Sequence, residues 1–546
     1  MSLRLKIRPV SQQTQELIID LHNAIGRWNT IFNNGAVVAI LTRIGETDQP
    51  AAIVQIVPFL LSNNHNTINA AALAVTRLLA HAQPTDLIWL DSAIRSNTEY
   101  LGGRLSQWNE LSSLNVEALA DLGESSLSVL GILSFHRNGF VREKAVEMLA
   151  SLQSRDTISF LLLRLNDWVK NVCQSACRAL GPLITPSNSH SFISNLVLIS
   201  RVERSGRAGH TATIEAIKAL LSRPECFPAL QGGMAAPDLF VRRESFRLAI
   251  ESNNDKRTIF DLAFCDRDNL GRLSAARSAP SVLNEDMLSD FLPRMKTDRF
   301  MPVRREGFRT IYSRFPARAL DEALNALFDP HTSIREEARY LLRNESAIDF
   351  RRMYRNSLTA ANSSIRYAAI AGLGETGVAE DDALLIEFAN IGFPKMRIAT
   401  IKALAHLNAD AHMNLFLSAL GDPTSSISAI ARKVLASRAM RAGGETLWEL
   451  FNSSPHVHVR RNVAKLFARL NKWDRLYYSI MSLKDCDKLI IEICSNIIAS
   501  WPVKFNRDFT QPTTEQLTRI EQALSENADQ IEGSIRQQLF FFVRGR

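Results

Sequence analysis

The sequence predicts an all-α protein, a solenoid of about 14–16 tandem two-helix repeats with no sheet. Three observations predict it. A turn-plus-helix signature returns at a fixed interval. Val303-Arg304, Ile334-Arg335, Ile365-Arg366, Met396-Arg397, Ile427-Ser428 and Val459-Arg460 follow one another at steps of 31, 31, 31, 31 and 32 residues. Each copy places small or apolar side chains at i, i+4 and i+8, as in Ile334, Ala338 and Leu342, which is one face of a helix. Each interval also has room for a partner helix and two turns, and no alternating run is long enough to demand a strand.

The copy at 329–342 is the template. Asp329-Pro330 stops the helix before it, because proline lacks an N–H and disfavours helix in the residue ahead. Ser333 followed by Glu336 is a capping-box pattern, so the new helix is expected to start there.

Taken in order, residues 11–25 and 30–45 read as two helices joined around Trp28, and 50–62 with 66–82 as a second pair. Residues 85–95 are helical, and 96–107, with Asn97, Gly102 and Gly103, read as a longer loop of the kind that binds or spaces. Residues 1–125 are thus degenerate N-terminal repeats. The array proper covers 126–500 and is best registered over 298–470. It sharpens at Val141-Arg142 with Ala145 and Leu149. In the next copy Cys173 and Cys177 fill slots that other repeats give to small or apolar residues, so they read as small core residues rather than metal ligands. Copies follow at Ala212, Ala216 and Leu220, at Val241-Arg242, and at Leu270-Gly271. Segments such as Asp382 to Ile391 and His412 to Leu420 supply partner helices. A last copy through Leu489, Ile493 and Ile497 is expected to end at Trp501-Pro502. Residues 501–546 then form a linker and a capping helix pair, with Phe540-Phe541-Phe542 in the core of the final helix.

Composition is that of a folded chain: 46% hydrophobic and 22% charged over 546 residues. The net charge of +8 is unevenly spread. Residues 432–475 hold ten basic residues against three acidic, whereas 1–200 balance at fifteen against fifteen. Six cysteines without a CxxC pair suggest reduced thiols. The N-terminus lacks an apolar signal-like core, and runs such as Ala51 to Leu61 are too short to span a bilayer. A cytoplasmic protein without a membrane span is the expectation.

A two-helix unit of this length, whose second helix opens D-P-x-x-x-[VI]-R-x-x-A-x-x-x-L, resembles the HEAT family, and most of all its short bacterial repeats also found in phycobilisome lyases. The resemblance covers 140–500 well and 11–125 and 510–546 loosely. It implies a right-handed superhelix with second helices on the concave side, and Asp and Arg positions that link neighbouring repeats. Carried over, this structural ladder comprises Asp298, Asp329 and Asp422 with Arg304, Arg335, Arg366, Arg397 and Arg460. Gly271 and Ser428 depart from it and are expected to interrupt it.

A screen for chemistry assigns no catalytic, cofactor-binding or metal residue. Gly372-Leu373-Gly374-Glu375-Thr376-Gly377 matches G-x-G-x-x-G but follows a helix, where a dinucleotide fingerprint needs a strand, so its glycines read as a helix end. His456 and His458, two apart, are expected on different sides of a helix. One constellation stands out as a surface for an anionic partner: Arg432, Lys433, Arg438 and Arg441, then Arg460, Arg461, Lys465 and Arg469. Within it Arg461, Lys465 and Arg469 lie four apart and would form a stripe. Arg243 with Arg247 and Arg305 with Arg309 repeat that spacing, but Glu336 and Tyr367 break its continuity.

The leading expectation is a non-enzymatic scaffold or adaptor that binds a protein partner, in the manner of a bacterial assembly, toxin-neutralising or phage-defence subunit. One alternative is sequence-nonspecific nucleic-acid binding through 432–475. Another is an enzyme of the DNA-glycosylase or chromophore-lyase kind, which the HEAT resemblance admits and no motif identifies. The sequence leaves the oligomeric state open.

Overall fold

A computed structural model describes residues 10–26, 34–96, 108–205, 208–252, 255–343 and 348–544. The join around Trp28 and residues 97–107 of the expected loop at 96–107 lie outside them, and Ser96 ends the helix Pro84–Ser96. The chain divides into two compact units, Met1–Glu306 and Gly307–Arg546. The described residues form helices joined by turns, with no strand among them, and none of these helices is long and apolar enough to cross a membrane.

Both units alternate a first and a second helix. In the first unit four second helices are α1 (Gly139–Ser151), α2 (Lys170–Leu180), α3 (Leu239–Glu251) and α4 (Asn269–Val282). Helix α1 packs on α2 and α3 on α4. In the second unit they are α5 (Thr332–Leu342), α6 (Ser363–Thr376), α7 (Pro394–Asn408), α8 (Ser425–Leu435), α9 (Val457–Phe467) and α10 (Lys488–Lys504). Each packs on the next, so within the unit they form one continuous layer. This is solenoid architecture: a lone helix pair cannot bury its apolar face, and its neighbours cover it.

The template repeat shows how each helix is started. Asp329 Oδ1 accepts the His331 N–H at 2.7 Å, and His331 Nδ1 accepts the Ser333 N–H at 3.2 Å. His331 is therefore the cap and α5 begins at Thr332, a residue before the expected start. Aspartate and asparagine do the same work in α3, α4 and α6 through Asp238, Asp268 and Asn362. Ile334, Ala338 and Leu342 are buried on one face.

An arginine near the start of most second helices ties the repeats together. Its Nη1 donates to the carbonyl six residues back: Arg142 to His136, Arg242 to Ala236, Arg272 to Asp266, Arg304 to Asp298, Arg335 to Asp329 and Arg460 to Ser454. Arg366 makes the same bond through Nε, to Ala360. The guanidinium then reaches a carboxylate at the next repeat's turn, as in Arg142–Asp167, Arg242–Asp266, Arg272–Asp298, Arg397–Asp422 and Arg460–Asp485.

Three departures from the expected ladder follow from the turns. The Leu270-Gly271 repeat is not interrupted, because Arg272, one residue later, occupies the arginine position. Arg335 has Ala360 where an aspartate would stand, and it pairs instead with Glu375 near the end of α6. Arg366 has Ile391 at the sequence register where an aspartate would stand, and it has no carboxylate partner among the described residues. At Ser428 the ladder is replaced: the hydroxyl donates to the Leu420 carbonyl at 2.7 Å and accepts from Asn462 at 2.9 Å.

The glycine-rich motif is a packing device. Gly372 and Gly374 lie inside α6, and only Gly377 caps it. A Cβ on Gly372 would stand 2.4 Å from the Tyr354 ring, and one on Gly374 2.5 Å from the Ala403 methyl.

Near the C-terminus, Pro502 lies within α10, which continues to Lys504 instead of ending at Trp501. Trp501 and Phe505 pack on Trp473, and Trp501 Nε1 donates to the Lys472 carbonyl, so packing holds the helix past its proline. Phe542 stacks on Phe505 at 4.3 Å, while Phe541 is exposed.

Candidate partner-binding face

The basic candidates separate into two groups. Four are neutralised by carboxylates from outside the 432–475 window. Arg438 and Arg441 share Asp410 at 3.3 and 2.5 Å, Arg460 pairs with Asp485, and Arg461 grips Asp487 with bonds of 2.9 and 2.6 Å. The two guanidiniums of Arg441 and Arg438 hold the Asp410 carboxyl below the usual carboxylate range, and Arg461 does the same to Asp487.

The expected stripe of Arg461, Lys465 and Arg469 is thus divided. Arg461 is tied to the next turn, and Arg469 lies past the end of α9. Lys433, Lys465 and Arg469 are exposed and have no partner among the described residues. Arg432, half-buried, has no ionic partner there either, and its buried Nε makes no hydrogen bond. His456 and His458 do not point apart. His456 is the extended cap of α9, where helical spacing does not apply, and the two rings stack at 5.4 Å.

A residue outside the charge-rich window completes the second group. Lys402 on α7 is exposed and unpaired among the described residues. Lys402, Lys433 and Lys465 each lie five positions after the ladder position of their repeat, at residues 397, 428 and 460. Because α7, α8 and α9 pack in sequence, the three lysines form a file across the second-helix layer. These three consecutive helices contain no Asp or Glu, whereas α6 carries Glu375 and α10 carries Glu492.

The same register position elsewhere shows what is unusual. Arg247 on α3 is held by Glu244 and Glu251, Arg277 on α4 pairs with Glu306, and Arg309 pairs with Glu337. Tyr340 and Ala371 fill the position on α5 and α6. On α7 to α9 it is, on three consecutive helices, a cation without a carboxylate among the described residues; Arg178 on α2 is another, bonded to the Ser175 hydroxyl. Following one register position from helix to helix brings Lys402 to this face; a count over a window of sequence does not.

Beside the file, α5, α6 and α7 enclose a pocket of about 610 Å³, lined among others by Arg335, Arg339, Tyr367, Glu375, Lys402 and His406. The sequence did not reveal it. Burial pushes the Glu375 carboxyl up, but Arg335 and Arg339 outweigh burial and hold it below its ordinary value. A carboxylate gripped by two guanidiniums is a weak proton acceptor, which suits an organising role better than that of a general base. Tyr367 is half-buried beneath Lys395, whose ammonium lies 4.6 Å from the ring centre.

No family model matches the chain, and no curated protein matches it. Solved structures to which it is similar include importin beta crystallised in a polyethylene glycol condition, at 12% identity over 98% of this chain and 83% of that one, with a TM-score of 0.34. Importin beta in an ammonium sulfate condition gives 12% identity over 97% and 84%, with a TM-score of 0.31. A Kap121p mutant gives 12% identity and a TM-score of 0.27, and there the chain spans 56% of the matched structure's length. Likeness at this level speaks to neither activity nor partner.

Proposed function

We propose that the protein is a HEAT-like scaffold that binds a protein partner through its second-helix face, without chemistry of its own. One observation carries the reading. The position five residues after the ladder is paired internally at Arg247, Arg277 and Arg309 but is left as an uncommitted cation at Lys402, Lys433 and Lys465. Unpaired charge presented from a rigid layer favours encounter with a complementary surface.

Nucleic-acid binding is the weaker alternative, because half of the cations named for it already face carboxylates of neighbouring turns. Cross-linking in native extract, followed by reconstitution with the purified partner, tests the proposal. The expected result is a defined protein whose cross-links map to α5 through α9 and whose binding survives nuclease. Recovery of nucleic acid alone from that face overturns it.

A further inference from the structure

The file of lysines has a spacing, and the spacing selects a ligand. Packed helices lie about 8–10 Å apart, so Lys402, Lys433 and Lys465 recur at roughly that interval along the layer. A polypeptide in the extended polyproline II conformation has three residues per turn and advances about 3.1 Å per residue, so every third side chain falls on one face at about one repeat's spacing. We propose that the file receives an extended acidic segment of the protein partner, running across α7, α8 and α9 with a carboxylate at every third residue. This rests on the scaffold reading above and adds the chemistry of the partner.

Four features support it. The helices beneath the segment have no carboxylate to compete for the lysines. Arg432, unpaired on α8, and Arg469, just past α9, add positive charge along the same track. One turn before Lys402 and Lys433 on their own helices stand Ile398 and Ala429, half-exposed, which leaves room there for the intervening side chains of a peptide. An unpaired strand of nucleic acid would ask for something else, aromatic platforms interleaved with the cations. Helices α7, α8 and α9 carry no Trp or Tyr, and their one Phe, Phe467, is buried.

Fluorescence anisotropy with the full chain tests this. The probes are a labelled peptide of about 12 residues with glutamate at every third position, long enough to pass all three lysines at ~3.1 Å per residue, a peptide of the same composition with its glutamates grouped at one end, and a single-stranded oligothymidylate. The spaced peptide should bind about tenfold more tightly than the grouped one. Each of Lys402→Glu, Lys433→Glu and Lys465→Glu should weaken it about fivefold, the scale of one exposed ion pair. Arg441→Gln, outside the file, should leave it unchanged. All of these side chains are exposed, and an unaltered circular dichroism spectrum and melting temperature would show that the variants fold.

Equal binding of the two peptides overturns the proposal. So does an oligonucleotide that binds as tightly as the spaced peptide and loses affinity on the same substitutions. If a reconstituted protein partner binds the triple variant as well as the wild type, the inference falls and the scaffold reading stands. If only nucleic acid is recovered from this face, both fall.

Discussion

Two clusters of positive charge in this chain have opposite fates. At the joint between α1 and α2, Arg95, Arg142 and Arg164 converge on Asp91 and Asp167 through bonds of 2.5–3.1 Å. Arg142 and Asp167 are fully buried there and Arg164 almost so. On α7 to α9, Lys402, Lys433 and Lys465 are exposed and find no carboxylate among the described residues. Density of charge along the sequence does not separate the two. What does is whether the neighbouring repeat's turn supplies an acid at the right height, as Asp167 does for Arg142. In a repeat protein, charge that meets its counter-ion one repeat on sets the register of the array, and charge that does not is free for a partner.

The largest effect should come from breaking the first cluster. Asp167→Ala leaves Arg142 with its bonds to the His136 and Arg137 carbonyls but with no counter-charge. Uncompensated burial of this kind costs about 3–5 kcal/mol. Urea unfolding of the wild type and the variant measures it. A loss under about 1 kcal/mol would mean that the joint is held by apolar packing, and the contrast between the two regions would lose its energetic basis.

A smaller loss is expected where packing, not charge, places the lysine file. Gly374→Val would drive a side chain into Ala403, whose Cβ and Cα already lie 2.5 and 2.6 Å from an ideal Cβ at that position. Helices α6 and α7 would have to part, at about 1–3 kcal/mol for overpacking. Helix α7 carries Lys402, so the variant should also weaken any ligand of the file while Lys433 and Lys465 remain intact. Thermal unfolding and peptide anisotropy on one sample report both effects.

Much of the architecture was legible because it repeats. Steps of 31 and 32 residues marked the second helices, and the buried positions Ile334, Ala338 and Leu342 followed from spacing alone. In one repeat Arg272 sits one residue after the position aligned by its apolar neighbour, and an apolar template alone cannot see that shift. The site was harder to read because pairing is not local in sequence. Asp410, Asp485 and Asp487 lie outside the basic window yet neutralise it, and Lys402 lies outside yet belongs to the face. The pocket beside Glu375 needs three repeats to form, so no single stretch announces it.

Arg243 and Asp268 are an intermediate case, part-exposed and joined by bonds of 2.6 and 2.9 Å. Arg243, helped by the Gly271 and Leu270 N–H groups, holds the Asp268 carboxyl down to about 2. A carboxyl with a lowered folded-state pKa contributes stability that is fully present above its unfolded value near 4 and is lost as pH falls toward 2. Arg243→Gln should therefore cost about 1 kcal/mol at neutral pH, discounted because solvent screens the half-exposed guanidinium. The gap from wild type should narrow below pH 4 and close near pH 2. A gap that stays constant across that range would mean the arginine acts through packing.

The smallest effect is expected at the file itself, and its sign is informative. Two lysines one repeat apart, at about 10 Å, repel by about 0.4 kcal/mol in water before screening, and by less once the ~8 Å Debye length of physiological salt is included. Lys433→Ala removes the middle charge, so it should leave stability unchanged or raise it by a few tenths of a kcal/mol at low salt, and added salt should erase the gain. Chemical denaturation at two ionic strengths measures this. A loss of about 1 kcal/mol or more would show that Lys433 has an internal role and would dissolve the contrast with the buried joint. A salt-sensitive gain would identify the file as charge kept against the array's own stability, to be relieved when an acidic ligand binds and stabilises the folded chain by mass action.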